Sequence, residues 1–103
     1  MRAIQKFLWR GELIQNMKRI RVIIRGKVQG VFFRVNVEKI AKENGVFGFV
    51  RNVDDYVEAV FIGEEEAVNK MLDFCVKGPE GAKVKGMEME NYVGEDFRDF
   101  RVE

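Results

Sequence analysis

The run Gly26-Lys27-Val28-Gln29-Gly30-Val31-Phe32-Phe33-Arg34 joins an alternating strand pattern to a helical one, with glycines at both ends of its tight part. A bend of this kind can turn several backbone N–H groups toward one centre and make a concave anion site. The helix that follows adds unpaired N–H groups and a partial positive charge at its first turn. Arg34, in that turn, brings a guanidinium fork matched to phosphate oxygens. Together these features describe a phosphate cradle. Two glycines in a turn are common by themselves, and no Lys-Ser or Lys-Thr follows them. The run is therefore not a nucleotide loop of the GxxxxGK(S/T) kind.

The elements that must hold this cradle are legible on either side of it. Ile20, Val22 and Ile24 alternate with Arg19, Arg21 and Arg25, the period of a strand with one buried face. Phe33, Val37, Ile40 and Ala41 recur at helical spacing, and Gly45 is placed to stop that helix in a positive-φ conformation. Two strands at about 46–52 and 57–62 flank the short link Val53-Asp54-Asp55-Tyr56, which predicts a hairpin. Glu64, Glu65 and Glu66 suit the start of a second helix, whose buried stripe is Ala67, Val68, Met71, Leu72 and Cys75 and whose end is Gly78-Pro79. A fourth strand begins near Lys83, with Gly86 marking a bulge, and a short strand near 97–102 finishes the chain. The order βαββαβ is that of the ferredoxin-like split βαβ sandwich, an α+β fold with two helices on one face of an antiparallel sheet. Residues 17–103 form this domain. Residues 1–16 read as an N-terminal extension, either disordered or a translated leader ahead of a true start at Met17.

Composition narrows the chemistry. The chain has 103 residues, enough for one domain, and its net charge of +1 offers no electrostatic footprint for nucleic acid or an anionic membrane. It contains no histidine, which excludes Ser-His-Asp and Cys-His nucleophile systems and histidine-based zinc sites. The single cysteine, Cys75, allows neither an internal disulfide nor a CxxC pair, which fits the cytoplasm. Asp54, Asp55 and Glu58 read as a solvated turn and not as metal ligands, since the chelating spacing is absent. Phe32, Phe33, Phe47, Phe49 and Phe61 read as core packing and not as base-stacking platforms, because no RNP1 pattern accompanies them. Cys75, in a buried stripe, reads as an inert thiol.

The segment 26–34 resembles the acylphosphatase signature G-x-V-Q-G-V-x-F-R at every defined position, and Gly48-Phe49-Val50-Arg51-Asn52 is similar to that family's second signature. Val57-Glu58-Ala59 and Gly78-Pro79 extend the likeness, so that it covers about residues 18–103. The resemblance implies hydrolysis of a carboxyl-phosphate anhydride by direct attack of water, without metal or other cofactor. It implies that Val28, Gln29, Gly30, Val31, Phe32 and Phe33, with Arg34, bind the phosphoryl oxygens, and that Asn52 positions the water. Arg34 and Asn52 are then the catalytic pair. The implied partner is a small acyl phosphate, with phosphate or another oxyanion in the site, and the protein acts as a monomer. Taken alone, Asn52 reads as a strand-end residue bonding its own turn. Arg51, pointing to the opposite face, is read as structural. One departure stands out: the family commonly has Asn-x-x-Asp-Gly-x-Val-Glu, whereas Asn52-Val53-Asp54-Asp55-Tyr56-Val57-Glu58 is one residue shorter and lacks the glycine. That shorter link favours the alternative, a non-catalytic anion-binding or interaction module on the same fold.

Overall fold

The computed structural model describes residues 17–103, and the expectations for residues 1–16 lie outside the described residues. The chain forms β1 (Met17–Lys27), α1 (Phe33–Glu43), β2 (Phe47–Val53), β3 (Tyr56–Glu64), α2 (Glu65–Lys77), β4 (Lys83–Asn91) and β5 (Phe100–Val102). The sheet order is β4-β1-β3-β2-β5. The first four strands pair antiparallel, as expected of the split βαβ sandwich, while β5 adds to β2 in parallel and makes the sheet mixed.

Each helix turns a stripe toward the same sheet face. Phe33, Val37 and Ala41 of α1 and Val68, Met71 and Cys75 of α2 are buried. They close over Ile20, Val22, Ile24, Val50, Ala59 and Phe61 in one core, and each fully buried side chain of this size stabilises by about 1.5–3 kcal/mol. α1 stops as its sequence requires: Val46 N–H bonds to Ala41 O (2.9 Å) and Gly45 N–H to Lys42 O (3.4 Å), with Gly45 at φ 68. This is the Schellman arrangement, and its left-handed residue is best supplied by glycine. In β4 the register passes from Arg25↔Gly86 to Gly26↔Val84, so Lys85 is an extra residue beside Gly86 and the expected bulge is present.

The other sheet face holds what the residue pattern did not reveal. Every residue from Val57 to Gly63 of β3 is buried, because β3 is central and the segment leading to β5 lies across its far side. Phe97 and Tyr92 pack there on Val60, Ile62 and Phe49. Glu58 corrects the reading of a solvated turn: it is buried in β3, with Arg21 Nε at 2.5 Å and Arg51 Nε at 2.6 Å from its two oxygens. A carboxylate can occupy the middle of an apolar strand because both of its oxygens are met by guanidinium N–H groups. The core reading of the phenylalanines also needs correction: Phe33 and Phe61 are buried, but Phe32 and Phe47 are exposed, Phe32 by 77%.

Candidate active site

The loop between β1 and α1 has an alternating backbone. Gly30 lies at φ 73 and Phe32 at φ 59, ψ 28, while Val31 between them is not in the positive region and Phe33 begins the helix. Successive residues of alternating hand aim their N–H groups to one side and form a concave donor surface for an anion. Glycine meets this requirement freely at position 30. Phe32 meets it at a cost, since a bulky side chain in the left-handed region is uncommon and disfavoured by about 1–2 kcal/mol. Among the described residues, no main-chain N–H from Val28 to Val35 donates to a main-chain carbonyl outside the strand ladders. The first turn of α1 has no capping side chain and no acidic residue, whereas α2 has Glu65 and Glu66 in its first turn. The N-terminus of α1 therefore keeps its donors and its partial positive charge available.

Asn52 reaches the same place from the sheet. Val50 lies in the core beneath the helices, Phe49 packs on the opposite face, and Arg51 bonds Glu58 on that opposite face. The two-residue alternation then puts Asn52 on the helix side. The shorter hairpin does not disturb this register. Pairing continues through Asn52↔Val57 to Val53↔Tyr56, and Asp54 at φ 50 takes the left-handed position of the tight turn. Aspartate tolerates that conformation better than most residues, which lets the link dispense with glycine.

Val28, Gln29, Gly30, Phe32, Phe33, Arg34 and Asn52 line one cavity of about 340 Å³, together with Val35. Val31, the remaining loop residue, packs against the core and contributes no lining surface. Val28 lines the cavity although the residue is buried. Arg34 is held from behind: its Nη1 donates to the main-chain oxygen of Glu103 at 2.9 Å. Glu103 N–H in turn bonds Val50 O at 2.9 Å, which continues the parallel pairing of β5 beside the strand that carries Asn52. Neither Val35 nor Glu103 was found by sequence reasoning. Val35 is an apolar residue off the buried stripe, a weak signal, and nothing in the pattern near Glu103 announces a contact with Arg34. Gln29 lines the cavity, but its Nε2 donates to Asp54 O and Tyr56 O, both at 3.0 Å.

A cavity walled by unpaired amides, a tethered guanidinium and a neutral side-chain amide suits an anion with a polar neighbour beside it. Among the described residues, no group of three or more His, Cys, Asp or Glu could hold a metal, and no helix is long and apolar enough to cross a membrane.

Comparisons with known proteins identify the family of this chain. A family model described as acylphosphatase matches residues 20–102. An acylphosphatase from Pyrobaculum aerophilum is 50% identical over 90 residues, covering 84% of this chain and 94% of that protein. The solved structure of an acylphosphatase from Coxiella burnetii superposes with a TM-score of 0.83 at 38% identity, covering 90% of this chain and 99% of that one. A second, from Bacillus subtilis, gives a TM-score of 0.77 at 30% identity over 84% of this chain and 97% of that one. With a model match over nearly all the described residues and a relative of this identity aligned over most of both chains, the chain belongs to the acylphosphatase family.

Proposed function

We propose that this protein hydrolyses the carboxyl-phosphate bond of acyl phosphates to carboxylate and inorganic phosphate, with Arg34 and Asn52 as its catalytic residues. The observation that carries the assignment is the single cavity lined by both residues and by the alternating loop between them and β1. In this reading the loop amides and the Arg34 guanidinium hold the phosphoryl oxygens and stabilise the charge that redistributes over them as the bond to the carboxylate breaks. The Asn52 side-chain amide holds a water in line with that bond. The water oxygen bonds to phosphorus, the carboxylate departs with the electron pair, and the water's proton passes to the phosphate product or to solvent. A carboxylate is a good leaving group at neutral pH and needs no general acid, so a chain without histidine is equipped for the step. The same reading makes the enzyme a metal-independent cytoplasmic monomer acting on small substrates. The single cysteine fits a reducing compartment.

The test is turnover of an aryl acyl phosphate, followed optically, with and without a metal chelator. Wild-type protein is expected to turn over equally in both. Asn52→Ala is expected to lower kcat by at least about 100-fold, the cost of a reactant misplaced by about 1 Å, while inhibition by inorganic phosphate stays within roughly 3-fold, since the anion donors remain. An Asn52→Ala protein with the wild-type kcat would remove Asn52 from the mechanism.

A further inference from the structure

The β1–β3 ladder ends at Ile24↔Val57, and β1 goes on to Lys27 paired only with β4. Past that point the anion loop has left the strand that supports the far wall of the cavity. The side chain of Gln29 restores the connection: one nitrogen donates both of its hydrogens, one to Asp54 O and one to Tyr56 O. These carbonyls bracket Asp55 in the β2–β3 turn, and Tyr56 adjoins Val57, the cross-strand partner of Asn52. Gln29 is thus the brace between the wall that holds the anion and the wall that holds Asn52. Only a primary amide on an arm of this length offers two neutral donors from one atom.

We infer that the side chain of Gln29 has a positioning role: its carboxamide, tied to the β2–β3 turn and not to the anion, sets the distance between the loop amides and Asn52 and so aligns the water with phosphorus. This rests on the proposed roles of the loop and Asn52. The anion-binding curve of the loop is a local backbone property of Gly30 to Phe33 and of the start of α1, and it survives loss of the brace. Alignment across the cavity does not survive, and a displacement of about 1 Å at a reacting centre costs up to roughly 100-fold in rate.

The experiment compares wild type, Gln29→Met, Asn52→Ala and the double variant by kcat and KM on an aryl acyl phosphate, by inhibition with inorganic phosphate, and by thermal melting. Gln29→Met keeps the arm's length and removes both donors. It is expected to lower kcat at least about 10-fold, with phosphate inhibition within roughly 3-fold of wild type. In the Asn52→Ala background the same change is expected to alter kcat by less than about 2-fold, because two residues acting through one water do not add. Gln29→Asn keeps the amide on an arm shorter by about 1.5 Å and is expected to behave like Gln29→Met, which separates reach from mere polarity. A merely structural role gives a different pattern: a lowered melting temperature, weakened phosphate inhibition, and losses that multiply with Asn52→Ala. That pattern, or a wild-type kcat in Gln29→Met, overturns the inference. Absence of turnover in the wild type would instead overturn the hydrolase reading beneath it. A wild-type Gln29→Met beside an impaired Asn52→Ala defeats the brace alone.

Discussion

Replacing Glu58 by glutamine takes one negative charge from between two guanidiniums, and the structure sets the size of the loss. The Glu58 side chain is 6% exposed, and its oxygens receive Arg21 Nε at 2.5 Å and Arg51 Nε at 2.6 Å. Removing one partner of a fully buried ion pair costs about 3–5 kcal/mol, because the other charge is left without solvent. Here the Arg21 and Arg51 side chains are 33% and 46% exposed and can rehydrate, and Arg21 keeps Glu90 at 3.0 Å. The expected cost falls accordingly to about 2–3 kcal/mol, or roughly 10–20 °C of melting temperature for a domain of this size. The acid side carries a second signature. Burial is the strongest single influence on the Glu58 carboxyl and pushes its pKa up, but the hydrogen bonds and charges of Arg21 and Arg51 together outweigh it and hold the pKa below the ordinary value of 4.5. A depressed folded-state pKa means that the stabilisation is fully present above the ordinary value and is lost as pH falls through the folded one. Melting should therefore be followed by circular dichroism from neutral pH downward. The gap between wild type and Glu58→Gln is expected to be widest near pH 7 and to narrow below about pH 4.5. A gap under about 2 °C at neutral pH, or one that persists undiminished into strong acid, would refute the account of Glu58 as an ionised keystone.

Two adjacent phenylalanines should part company under mutation. Phe33→Ala removes a buried ring that meets Phe74 edge-on and is expected to cost about 3–5 kcal/mol by urea denaturation. Phe32→Gly removes an exposed ring and relieves a left-handed backbone, so its stability is expected to stay within about 1 kcal/mol of wild type on either side. Cys75 is buried, and burial pushes its thiol pKa up to about 12. A thiol reagent at neutral pH is expected to label it only at the rate of global unfolding, and rapid labelling of native protein would contradict its placement.

What could be read from the residues divides along a physical line. The helix stripes, Gly45 and the alternation of Ile20, Val22 and Ile24 are local patterns, and local periodicity predicts them well. The cradle was legible for the same reason, since its glycines and Arg34 lie within one short run. Glu58 was not, because its burial depends on Arg21 and Arg51 arriving from neighbouring strands. A hint was present: Glu58 interrupts the otherwise apolar run 57–62, and a carboxylate in a central strand must find cations. Val60 and Ile62 were buried by the segment at Tyr92 and Phe97, a long-range event that no window around them contains. The left-handed Phe32 escaped because its residue type argues against that backbone. Such disagreement between local preference and observed conformation gathers at functional loops.

The stitching of residues 100–103 alongside β2 has a consequence for how this protein fails. The guanidinium proposed to grip the phosphoryl group is steadied by Glu103, and Glu103 is steadied by a strand laid down far earlier in the chain. A single domain of this size unfolds as one cooperative unit, so contacts that join such distant parts of the polypeptide are lost with the rest of the tertiary structure. Catalytic competence should then behave as an all-or-none property, disappearing in step with the whole tertiary structure and returning on refolding only when the final stretch has docked.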